Sequence, residues 1–68
     1  MHVQVNGESR TLAAGLTVAG LLKELDITSD RVAVELNRNI LDRGEFERRS
    51  LQEGDHIEII SFIGGGGH

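Results

Sequence analysis

The chain has 68 residues, with no cysteine and no proline, and is 38% hydrophobic and 26% charged. That is one small domain, burying only about 60% of the surface its unfolded chain exposes; the lack of cysteine excludes a disulfide framework, a thiolate metal site and a cysteine nucleophile. Seven Lys and Arg against eleven Asp and Glu give a net charge of -4, which argues against a nucleic-acid binder with its basic stripe and permits a basic protein partner.

Val3 and Val5 alternate with His2 and Gln4, the period of a half-buried strand. Asn6-Gly7 follows, and Asn-Gly is the strongest short hairpin signal because both residues tolerate the positive φ of a type I′ turn. The return strand is expected through Ser9-Arg10-Thr11-Leu12. Thr17 is a suitable N-cap, and Val18, Leu21, Leu22 and Leu25 then fall at i, i+3, i+4 and i+7, one stripe of a helix, with Lys23 and Glu24 off it. Asp26 to Asp30 reads as the exit loop.

Val32, Val34 and Leu36 alternate with Ala33 and Glu35 as a third strand, Asn37-Arg38-Asn39 is a turn, and Ile40-Leu41 is a short apolar return. Asp42 to Ser50 is charge-rich; Phe46 is expected to pin it to the core, with Leu51 as a second anchor. Gly54 is expected to supply the positive φ of the turn at Gln52 to Asp55. His56 to Ile63 reads as the last strand. Ile57 and Ile59 point one way, but Ile60 and Phe62 fall on the side of His56 and Glu58. Two large apolar side chains therefore stand on the nominally polar face, unless a β-bulge turns one inward.

The order strand, strand, helix, strand, short strand, strand predicts an α+β fold of the β-grasp, ubiquitin-like kind. It has a mixed sheet of four to five strands, one main helix on one face, and the first and last strands parallel at the centre. Residues 1–63 form this domain and residues 64–68 a glycine-rich tail, expected to be mobile because glycine loses the most backbone entropy on ordering. No apolar run approaches the roughly 18 residues of a membrane span, and Met1 to Val5 has neither the basic nor the apolar region of a signal peptide, so a cytoplasmic location without membrane association is expected.

Four features carry candidate chemistry. The tail Gly64-Gly65-Gly66-Gly67 has no side chains, and with His68 it reaches about 17 Å when extended, enough to present a carboxylate inside another protein's active site. Ile60 and Phe62, with Ala33 beside them, form a candidate docking patch directly before that tail. His2, His56 and His68 have no cysteine to support a metal site and read as solvated histidines. Arg48-Arg49 sits among mixed charges and reads as a solvated loop, and Glu45 and Glu47 have no histidine to suggest acid/base work. No P-loop or catalytic constellation is visible, so no enzyme activity and no bound cofactor or metal are expected.

Several segments together resemble the ThiS family of sulfur carrier proteins of thiamin thiazole biosynthesis. They are Val3-Gln4-Val5-Asn6-Gly7, Thr17-Val18 with Leu21-Leu22, Val32-Ala33-Val34-Glu35-Leu36-Asn37, Ile40-Leu41-Asp42-Arg43 with Phe46, Leu51 to Ile59, and Phe62-Ile63-Gly64-Gly65-Gly66. The resemblance implies a β-grasp protein that is a co-substrate with no catalytic residues of its own. A ThiF-type enzyme, using ATP and magnesium, adenylates the terminal glycine, here Gly67. A persulfide-derived sulfur from a donor protein then displaces AMP, and thiazole synthase (ThiG) takes the sulfur from the resulting thiocarboxylate. By the same analogy Gly64 to Gly67 enter each enzyme while the Ile60/Phe62 face docks. The family pattern ends at a glycine pair whereas this sequence continues to His68: either His68 is removed, or it is an added residue, or activation differs from the family, and the expected mature form ends at Gly67. Two alternatives stand beside this reading. One is a related carrier, the small subunit of molybdopterin synthase or a carrier for tRNA thiolation. The other is a β-grasp docking module whose glycines are idle.

Overall fold

The computed structural model describes residues 1–62. Strand β1 (His2–Val5) turns at Asn6-Gly7 into β2 (Glu8–Thr11). Asn6 and Gly7 have φ of 52° and 83°, the left-handed pair that lets a two-residue turn match the twist of the flanking strands. The return strand starts one residue earlier than expected and ends at Thr11; Leu12 lies just beyond it, yet is buried. Its amide donates to the Met1 carbonyl, so hairpin pairing outlasts the regular strand.

Helix α1 (Val18–Glu24) is capped as expected: the Thr17 hydroxyl accepts from the Gly20 amide at 3.0 Å. The other free amides of its first turn find distant partners. Val18 N–H donates to the Arg49 carbonyl and Ala19 N–H to the Phe46 carbonyl. A helix leaves its first amides without internal partners, so this seven-residue helix is held at its start by a segment nearly thirty residues away in sequence. A Cβ at Gly20 would lie 2.6 Å from Leu16 Cδ1, the end of a flexible side chain that would have to shift.

Asp26, at φ 60°, turns the chain out of the helix, and a 3-10 turn at Ser29–Arg31 leads into β3 (Val32–Leu36). Asn37 and Arg38, at φ 51° and 74°, form a second left-handed pair before β4 (Asn39–Leu41). A 3-10 turn at Arg43–Glu45 opens the charge-rich segment, and Gly54, at φ 85°, precedes β5 (His56–Ser61). Strand β5 ends two residues short of the expected Ile63: Phe62 follows it, its amide donating to the Arg31 carbonyl, and Ile63 lies outside the described residues.

The five strands run in the order β2-β1-β5-β3-β4. Strands β1 and β5 are the parallel pair, with Val5 beside Ile57; the other neighbours are antiparallel. One sheet face contributes Val3, Val5, Val32, Val34, Leu36, Leu41 and Ile57 to the core, and α1 covers it with Val18, Leu21 and Leu22. Phe46 and Leu51 are each 3% exposed and close the core from the segment between β4 and β5, as expected. The opposite face has no helix over it among the described residues. That asymmetry exposes the candidate site.

Candidate functional site

The uncovered face is built from the outward positions of neighbouring strands. The β3–β5 register sets Ala33 opposite Ile60 and Glu35 opposite Glu58, and β4 sets Ile40 opposite Glu35 on its other side. The register runs without a break from Leu36–Ile57 to Val32–Ser61. No bulge therefore turns Ile60 inward: Ile60 is 47% exposed and Phe62 57%. Ala33 is half-buried between its neighbours. Ala33 and Ile60 thus stand opposite one another near the end of β5, and Phe62 follows that strand directly.

Ile40 belongs to the same face and was not singled out by its sequence. It is 74% exposed, the most open of the large apolar side chains among the described residues. The available signal was the Ile40-Leu41 step itself: in a strand the two must point to opposite faces. Leu41 goes to the core, so Ile40 goes to solvent. The same face carries a concavity of about 530 Å³ lined by Gln4, Glu35, Arg38, His56 and Glu58. A second, of about 550 Å³, opens between the helix exit loop and the end of β5, lined by Asp26, Ile27, Asp30, Arg31 and Ile59.

Two asparagines tie β5 into the sheet. Asn6 Oδ1 accepts from the Ile59 amide at 2.7 Å and its Nδ2 donates to the Ile59 carbonyl at 3.4 Å. At the other end Asn37 Oδ1 accepts from the His56 amide at 2.9 Å, while Asn37 Nδ2 donates to Asp55 Oδ1. Each asparagine is the first left-handed residue of a hairpin turn. These contacts hold the strand from which the tail departs.

The histidines stay apart in role. His2 Nδ1 lies 3.3 Å from Glu53 Oε2, both side chains well exposed, and the His2 amide donates to Glu53 Oε1 at 2.8 Å. That backbone hydrogen bond, with the His2 charge, holds the Glu53 carboxyl below its ordinary value. His56 stands on the neighbouring strand beside Gln4, two residues along β1 from His2. Among the described residues no group of three or more His, Cys, Asp or Glu could hold a metal ion. Arg49 pairs with Glu45 one helical turn before it, at 3.6 Å, in a half-exposed contact. Gly64 to Gly67 and His68, where the tail chemistry is expected, lie outside the described residues. Among the described residues no helix is long and apolar enough to cross a membrane.

A mixed five-stranded sheet with parallel central strands and one helix on one face defines a β-grasp protein. Within that class the chain belongs to the ThiS family, whose model matches residues 3–66. The sulfur carrier protein ThiS of Escherichia coli is 33% identical over 66 residues, covering 97% of this chain and all of that protein. The crystal structure of a thiamine biosynthesis protein (ThiS) from Geobacter metallireducens superposes with a TM-score of 0.83 at 38% identity, covering 97% of this chain and all of that one. A thiazole synthase of Magnetococcus marinus is 44% identical over 68 residues, all of this chain but only 21% of that protein. The chain thus spans about a fifth of the thiazole synthases it resembles.

Proposed function

We propose that this chain carries sulfur as a C-terminal thiocarboxylate for thiazole formation in thiamin biosynthesis, in the cytoplasm, as a co-substrate of other enzymes. The observation that carries the reading is the reach of the ThiS match, residues 3–66, which runs from β1 through the docking strand and into the glycine run. Gly67 is the acceptor. Its carboxylate must be free to react, so the Gly67–His68 peptide bond is hydrolysed first. A ThiF-type enzyme then uses ATP and magnesium to join that carboxylate to AMP, releasing pyrophosphate. The terminal sulfur of a persulfide donor displaces AMP to give an acyl disulfide. A thiol then attacks the donor-side sulfur, so that the donor leaves as a disulfide and the thiocarboxylate is released.

The chain's own part is physical. A carboxylate is a poor electrophile until adenylated, and no residue of the chain is needed to change that. What the chain supplies is a narrow tail, Gly64 to Gly67, and a docking face of Ile60, Phe62 and Ala33 that aims it. Relatives named thiazole synthase favour ThiG as the sulfur acceptor over the molybdopterin and tRNA-thiolation alternatives.

Intact mass of the protein from its own host, with and without alkylation of thiocarboxylates, tests the reading. The expected species lacks His68 and carries sulfur in place of one terminal oxygen. A chain that stays full-length and unmodified in thiamin-starved cells would refute it. Truncation of Gly64 to His68 separates the docking-module alternative: a carrier loses all sulfur transfer, whereas a module keeps its partner and its activity.

A further inference from the structure

The register of the uncovered face creates an arrangement that the sheet alone does not favour. Glu35 and Glu58 stand directly opposite one another on adjacent strands. Directly opposed side chains have Cβ atoms about 5 Å apart, and like charges placed so are destabilising. The two ion pairs found among the described residues, His2–Glu53 and Arg49–Glu45, involve neither carboxylate. Both line the 530 Å³ concavity, which Arg38 and His56 also line without an ion pair to either carboxylate among the described residues, and Glu35 is half-buried. Exposed apolar side chains flank them. Ile40 continues the Glu58–Glu35 row onto β4, and Ala33 and Ile60 form the adjoining row. An acidic pair with an apolar border on a chain of net charge -4 is complementary to one kind of surface: a cation set among apolar side chains.

We propose that Glu35 and Glu58 together form a recognition site for an arginine of the thiazole synthase that docks on the Ile40, Ala33 and Ile60 face. A guanidinium is planar and presents five donors in a fixed fork, so one side chain can serve two carboxylates at once. Its arrival relieves the repulsion between them, and the apolar border excludes water and strengthens the contact. The pair therefore acts in partner choice, with the apolar residues supplying contact area. This inference rests on the sulfur-carrier reading and names a chemical feature of the acceptor enzyme.

The test is calorimetric titration of the full chain and of a Glu35→Gln/Glu58→Gln variant into the purified thiazole synthase of the same organism, at low and at moderate salt. The variant is expected to bind at least about tenfold more weakly and to lose most of the salt dependence of the wild-type affinity. Its own melting temperature is expected to stay level or rise, because the substitution removes a repulsion, and a merely structural role would lower it. Equal affinity and equal salt dependence in the two proteins overturn the carboxylate site while leaving the carrier reading intact. If the wild-type chain itself fails to bind the synthase, both fall.

Discussion

The carboxamide of Asn6 grips the main chain of Ile59 at both its amide, at 2.7 Å, and its carbonyl, at 3.4 Å. Strand β1 turns away at Asn6, and the side chain then does for β5 what the next backbone residue of a parallel strand would have done. The asparagine thus has two tasks, a left-handed turn conformation and a substitute ladder contact. Glycine could perform only the first. Asn6→Gly is therefore expected to lower stability by about 1 kcal/mol through the lost hydrogen bonds. That corresponds to a melting temperature lower by roughly 4–8 °C in a domain of this size. Asn6→Ala should fall further, since alanine also resists the positive φ. Equal melting of the glycine variant and the wild type would show that the clasp contributes nothing.

Phe46 joins the charge-rich segment to both core and helix. Its side chain is buried and its carbonyl accepts from Ala19 at the start of α1. Truncating a buried phenylalanine costs roughly 3–5 kcal/mol. A domain of this length is stable by only roughly 3–10 kcal/mol. Phe46→Ala is thus expected to be largely unfolded at ambient temperature. Phe46→Leu, which keeps most of the volume, should fold with a reduced melting temperature. Circular dichroism melts of the pair check this, and a cooperative, wild-type-like melt for the alanine variant would remove Phe46 from its pinning role.

The Glu53 contact to His2 predicts a pH dependence of definite sign. The folded-state pKa of Glu53 lies below its ordinary value of 4.5. A depressed carboxylate contributes stability above the unfolded pKa and loses it as pH falls through the folded one. The melting advantage of the wild type over Glu53→Gln should therefore be present at neutral pH and disappear as the solution is acidified below 4.5. Because the carboxylate is fully exposed, the effect is small and should weaken with added salt. An advantage that grew on acidification would contradict the assignment.

Ile60 and Phe62 should matter to binding and little to folding. Both are about half exposed, and substitutions at such surface positions usually change stability by no more than about 0.5 kcal/mol. A Phe62→Ala chain is expected to melt as the wild type does, yet to bind the proposed adenylating enzyme and thiazole synthase at least about tenfold more weakly, as truncated interface anchors do. Unchanged affinity for both the adenylating enzyme and thiazole synthase would take this face out of the docking surface.

Much of this arrangement was legible in the order of residues. The Asn6-Gly7 turn, the Thr17 cap, the Val18, Leu21 and Leu22 stripe and the alternation of Val32, Val34 and Leu36 are local signals, and each depends on neighbours within one turn or one strand. Those signals were enough to give the class of fold and to separate core from surface on β1 and β3. The resemblance to sulfur carriers rested on the same segments taken in order. Three features needed the folded chain. Whether Ile60 turned inward depended on an unbroken register with β3, set by residues almost thirty positions away. The opposition of Glu35 to Glu58 and the placement of Ile40 beside them follow from that pairing. The helix amides of Val18 and Ala19 found carbonyls at Arg49 and Phe46, which no window along the sequence connects. The division has one physical cause: conformational preference and periodicity act through adjacent residues, whereas exposure on a sheet is decided by which face its single helix covers.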